Sequence, residues 1–240
     1  MPFLLALVTS LLFGCGAPSL DPDSVAESSG PLSIAESDGT APRSPATQSI
    51  QALTKDDRPV IVMFGDSLTE GYGLPRGKSF PDFLQRKLDD QGYRYSVRNE
   101  GISGDTTSGG LMRCSLVASS VPAIAVVALG GNDGLRGLSP GRMKDNLRRI
   151  IQEFSAQGTQ VVIGGMKLPP NYGVKYTDSF ERVFHELAQE LHVPLIPFLL
   201  EGVGGHPEFM QDDGIHPNEE GAHKIATLVM EHLQPLLAKR

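Results

Sequence analysis

The 240-residue chain is 40% hydrophobic and 20% charged, and its 28 acidic against 21 basic side chains leave a formal charge of -7. That balance excludes a nucleic-acid partner, because no basic stripe is present to neutralise phosphates. The length suits one good-sized folded domain plus a tail, and two cysteines are too few for a disulfide framework.

Phe3 to Phe13 is mainly apolar, too short to span a bilayer and long enough for the core of an export signal. No basic residue precedes it, so the start of the protein is expected upstream. Leu12-Phe13-Gly14-Cys15 resembles the bacterial lipoprotein box, which makes Cys15 a candidate lipidation site; an ordinary cleaved signal with an incidental cysteine is the alternative. Gly16 stands where an aspartate would mark inner-membrane retention, so the outer membrane is the expected address. Residues 16–56 are rich in Ser, Ala, Pro, Asp and Glu and bury too little apolar surface to offset ordering, which reads as a disordered tether. The folded domain is expected over 57–240.

Within that domain strand-like and helix-like patterns alternate. Val60–Phe64 reads as a first strand, and Phe80, Phe83, Leu84 and Leu88 recur at helical spacing. Tyr95–Val97 marks a second strand, and Gly110–Val117 a helix in which Cys114 is a buried structural thiol. Ala123–Leu129 is a third strand, and Met143, Leu147, Ile150, Ile151 and Phe154 form a helical stripe. Val161–Ile163 is a fourth strand, followed by a helix through Phe180, Val183, Phe184 and Leu187. Val193–Ile196 is a short fifth strand, and Ala222 to Leu237 a last helix. Apolar strands alternating with helices predict an α/β fold, a parallel sheet between helix layers. Function in such sheets gathers beyond the carboxyl ends of the strands. The suggestive segments fall there: Gly65–Ser67, Gly101–Thr106, Gly130–Asp133 and Lys167–Tyr172.

Acyl transfer needs a nucleophile, a base, an orienting carboxylate and donors for an oxyanion. Ser67, presented at a strand end, is the nucleophile candidate; taken alone, Ser67 would read as the cap of the helix that follows. Asp213-Gly214-Ile215-His216 overturns that bland reading by adding a base and an acid. His216 precedes the last helix, with Pro217 suited to its first turn. The other five histidines lie on or beside helices or, for His206, in a loop with no acid at useful spacing. Of Asp212 and Asp213, the latter is chosen because a tight three-residue turn brings its carboxylate to the Nδ1 side of the ring. Gly104 can offer an unobstructed N–H and Asn132 its amide. Leu168, Pro169 and Tyr172, after the fourth strand, are expected to wall the acyl pocket. Gly73–Ser79 echoes a phosphate-binding loop but is one residue short, and Pro75 removes a needed donor. The spacing of histidines and cysteines offers no metal site.

Gly65-Asp66-Ser67-Leu68, the Gly104 turn, Gly131-Asn132-Asp133 and Asp213-Gly214-Ile215-His216 resemble the four blocks of the SGNH (GDSL) hydrolases, in order. The resemblance spans Val60 to Leu236. Leu129–Gly137, Leu168–Gly173 and Met210–Asn218 are similar to its bacterial periplasmic thioesterase, lysophospholipase and arylesterase branch. This implies a three-layer α/β/α sandwich with a five-stranded parallel sheet, and Ser67, Asp213 and His216 as triad. It also implies the Ser67 N–H, the Gly104 N–H and the Asn132 amide as oxyanion hole, an acyl ester or thioester substrate of medium or long chain, and no cofactor or metal. A monomer is expected, with membrane contact through the lipid anchor only. Two other readings remain open: a carbohydrate O-deacetylase of the same fold, and a catalytically silent lipoprotein binding module.

Overall fold

The computed structural model describes residues 56–238. The export signal, Cys15 and all of the tether but its last residue lie outside the described residues. Five strands, β1 (Val60–Gly65), β2 (Ser96–Gly101), β3 (Ile124–Ala128), β4 (Gln160–Gly164) and β5 (Leu195–Ile196), form one sheet in the order β2-β1-β3-β4-β5. Every pairing is parallel, with Gly65 level with Gly101 on one side and Ala128 on the other.

Helices connect the strands. α1 (Ser67–Glu70) is a single turn after β1, and α2 (Phe80–Asp90) packs against α7 (Glu219–Leu233). α3 (Thr107–Ala118) packs against α5 (Pro140–Ala156), which packs against α6 (Val174–Leu191); α4 (Gly131–Leu135) is a short helix after β3. The apolar stripe of α5, Met143, Leu147, Ile150, Ile151 and Phe154, is almost wholly buried. At roughly 1.5–3 kcal/mol per such side chain, burial of this kind carries the stability of the sandwich.

The central strands read correctly because they are buried on both faces: Ile124–Ala128 has no exposed residue. β2 runs on through Arg98, Asn99 and Glu100, four residues past the expected end. As an edge strand it is only half-buried, so its polar residues hide it from a hydrophobicity pattern. The last helix begins at Glu219, three residues earlier than the apolar run implies, because Asn218 caps it by accepting from the Gly221 N–H at 3.0 Å. Pro217 therefore lies outside that helix and instead bridges to Met210. Cys114 is buried on α3 as a free thiol, its Sγ donating to the Leu111 carbonyl. No helix among the described residues is long and apolar enough to cross a membrane.

Strand order reverses at β1, since β2 lies on one side of it and β3 on the other. The crevice between the carboxyl ends of β1 and β3 is the usual place for a site in an open parallel sheet. Ser67 follows β1 and Asn132 follows β3.

Candidate active site

Gly65 ends β1 against its neighbours. A Cβ there would fall 2.0 Å from the Thr69 hydroxyl oxygen and 2.9 Å from the Ala128 carbonyl, so the tight entry into α1 needs glycine for close approach. Asp66, not Ser67, is the N-cap of α1, its Oδ1 accepting from the Leu68 N–H at 3.1 Å. The bland role open to Ser67 is thus filled by its neighbour, and its hydroxyl points elsewhere. Ser67 Oγ lies 2.9 Å from His216 Nε2.

On the other side of the ring, His216 Nδ1 lies 2.6 Å from Asp213 Oδ2. A carboxylate can only accept here, so Nδ1 carries the proton and Nε2 is left to accept from the serine. Asp213 Oδ1 also accepts from the Ile215 and His216 N–H groups, each at 2.9 Å. These backbone and side-chain bonds to His216 hold its carboxyl down at about 2, well below the usual range. Asp212 is exposed like Asp213 but makes none of these bonds to the His216 turn.

Gly104 lies in a turn at φ +78°, a left-handed conformation that L side chains rarely adopt. Among the described residues no acceptor takes the N–H of Ser67 or of Gly104. The Asn132 amide donates to the Asp105 carbonyl at 3.0 Å and makes a long 3.5 Å contact with Asp66 Oδ2. The three expected oxyanion donors therefore sit on segments that bond directly to one another. Glu70 on α1 strengthens that link by accepting from both the N–H and the hydroxyl of Ser103.

Leu168 packs against α4: a Cβ on Gly134 would meet its methyl carbons at 2.6–3.0 Å. Tyr172 donates its hydroxyl to the Leu135 carbonyl at 3.0 Å, and Pro169 precedes the short 3-10 turn that carries Tyr172. Leu168 and Tyr172 thus border the helix that bears Asn132. An open groove of about 440 Å³ runs past Tyr172, Val174 and Tyr176, and none of Ser67, Asp213 or His216 lines it.

Several participants were not legible as such in the sequence. Asp66 is almost fully buried, and loss of solvent raises its carboxyl to about 6. Tyr72 lays its ring beside the imidazole of His216, and Gln211 joins the two loops. The adjacency of Asp66 to Ser67 was the one available signal; the partners of Tyr72 and Gln211 lie some 140 residues away in the chain.

Residues 63–224 match the model of the GDSL-like Lipase/Acylhydrolase family. The chain is 43% identical over 178 residues to Esterase TesA of Pseudomonas aeruginosa, a match covering 74% of this chain and 89% of that protein. It is 40% identical over 178 residues to Thioesterase 1/protease 1/lysophospholipase L1 of Escherichia coli K12, covering 74% and 84%. The crystal structure of TesA matches with a TM-score of 0.72 at 43% identity, over 74% of this chain and 99% of that one. A family match across most of the folded residues, joined to these identities and to the five-stranded parallel sheet, places the chain among the SGNH hydrolases: it belongs to the GDSL-like lipase/acylhydrolase family.

Proposed function

We propose that this protein hydrolyses acyl esters and thioesters through an acyl-enzyme on Ser67. The observation that carries the reading is the unbroken chain from Ser67 Oγ through both nitrogens of His216 to Asp213, at 2.9 and 2.6 Å. His216 Nε2 takes the hydroxyl proton as Ser67 attacks the carbonyl carbon, and the Asp213 carboxylate holds the ring in that tautomer and faces the imidazolium that forms. The N–H groups of Ser67 and Gly104 and the Asn132 amide stabilise the oxyanion. For Asn132 this means exchanging its long contact to Asp66 for a short, charge-assisted bond. His216 then returns the proton to the leaving alcohol or thiol, and water repeats the sequence to release the acid.

The names of the relatives, esterase and thioesterase/lysophospholipase, support acyl esters and thioesters as the substrate class. Leu168, Pro169 and Tyr172 form the wall for the acyl chain in this reading. The mature protein is exported as a monomer and held by lipid on Cys15, with a leash reaching on the order of 35 Å from the outer membrane.

The test is a substrate panel on the purified full-length protein: short- and long-chain nitrophenyl esters, acyl-CoA, lysophospholipid and acetylated glycan. Hydrolysis of esters and thioesters, lost at least 10³-fold in Ser67→Ala, is the expected result. Turnover of acetylated glycan alone would move the assignment to a deacetylase, and no turnover at all would make this a binding module. Fractionation of wild type and Cys15→Ala, with the mass of the mature N-terminus, tests the anchor.

A further inference from the structure

The oxyanion donors come from three separate segments, after β1, β2 and β3, so something must hold the segments in register. Arg113, on the second turn of α3, bonds to the first two of these segments. Its Nε donates to Asp105 Oδ2 at 2.8 Å, one Nη to the Glu100 carbonyl at 3.0 Å, and the other to the Gly65 carbonyl at 2.9 Å. The guanidinium also lies over the Phe64 ring, 4.0 Å from its centroid. Arg113 and Asp105 are 18% and 10% exposed, so water competes little for these bonds.

Each bond ends on a segment that leads to an oxyanion donor. Gly65 is two residues before Ser67. Asp105 follows Gly104 directly, and its own carbonyl accepts from the Asn132 amide at 3.0 Å. Glu100 is the last residue but one of β2, the strand from whose end the Gly104 loop departs. The planar fork of one arginine thus ties the carboxyl ends of β1 and β2 to the turn that orients Asn132. We propose that Arg113 is a positioning residue that sets the geometry of the oxyanion hole.

Lysine cannot replace it. An ammonium on a flexible stem can satisfy Asp105 or one carbonyl, whereas the guanidinium reaches three acceptors in one plane and stacks on Phe64 as well. Donors displaced by a fraction of an ångström weaken contacts needed where charge develops and leave ground-state binding largely intact. The inference rests on the proposed Ser67 mechanism, so the experiment must separate the two.

Steady-state hydrolysis of a nitrophenyl butyrate is measured for wild type, Ser67→Ala, Arg113→Lys, Asp105→Asn and Leu187→Ala, with the Tm of each. Leu187 is a buried α6 residue outside the site and serves as a destabilised control. Arg113→Lys is expected to lose at least 30-fold in kcat with KM within threefold. Asp105→Asn, which leaves both carbonyl bonds in place, should lose about fivefold in kcat at unchanged KM, and Leu187→Ala should keep the wild-type kcat despite a lower Tm. Ser67-dependent hydrolysis with Arg113→Lys within threefold of wild type in kcat would overturn the inference alone, as would a loss confined to KM. Should Arg113→Lys fail to fold, Asp105→Asn decides: a kcat indistinguishable from wild type overturns the proposal. Hydrolysis that survives Ser67→Ala overturns the mechanism and this inference with it.

Discussion

The ring of Tyr72 lies 4.6 Å from the imidazole of His216, centroid to centroid, with the planes tilted by 39°. Backbone and one amide hold it there. The Tyr72 N–H donates to the Ser67 carbonyl at 3.0 Å, and its own carbonyl accepts from Gln211 Nε2 at 2.7 Å. The Gln211 N–H in turn donates to the His216 carbonyl at 2.8 Å. One glutamine thereby clasps the turn after Ser67 to the turn that bears His216.

An aromatic face beside an imidazole becomes more favourable as the ring takes up a proton, by about 1 kcal/mol at a half-exposed site. Tyr72→Ala should lower kcat/KM about 5–20-fold, while Tyr72→Phe, which keeps the ring, should stay within twofold of wild type. Steady-state kinetics on a nitrophenyl ester decide it. An equal loss in both variants would assign the effect to the hydroxyl.

The two neighbouring acids should behave very differently. Asp213→Asn removes the acceptor that fixes Nδ1–H and is expected to cost several orders of magnitude in kcat; Asp212→Asn, on an exposed side chain, should cost less than threefold. Comparable losses in the two would show that the orienting carboxylate has been misassigned.

Asn132→Ala should lower kcat by roughly 10²-fold with little change in KM, because its amide matters most where charge develops. An effect seen in KM only would make Asn132 a contact of the bound ester rather than of the transition state.

Asp66 and Asp213 shape stability in adjoining pH windows. Asp213 has a carboxyl depressed to about 2, so its contribution is present above the unfolded value near 4 and is lost as pH falls towards 2. Asp66 is raised to about 6 by burial, so between about pH 4 and 6 the folded state binds the extra proton and stability declines as pH rises. Asp66→Asn keeps an acceptor for the Leu68 N–H without that burden. Its stability relative to wild type should therefore improve between pH 4.5 and 7.5, by about 2 kcal/mol at most. Denaturant unfolding of both proteins at the two pH values measures this, and a difference that does not change with pH would contradict it.

Periodicity alone located the central strands and the large amphipathic helices, because residues such as Val126, Val162 and Phe184 are apolar wherever the sheet is covered on both sides. It also placed Ser67, Gly104 and Asn132 beyond strand ends, since in a parallel sheet every such loop emerges on one edge. What it could not show was the extent of β2, whose Arg98, Asn99 and Glu100 sit at a half-exposed sheet edge, or the true start of α7, set by a single Asn218 cap. Nor could it show which distant groups meet. Ser67 and His216 are 149 residues apart, and only the order β2-β1-β3 brings the loops of Asp66, Asp105 and Asn132 into bonding distance. Local pattern reports burial and turn chemistry. The pairing of Arg113 with Gly65, of Tyr72 with His216 and of Asn132 with Asp105 is decided by how the strands are ordered, which no local stretch of the chain encodes.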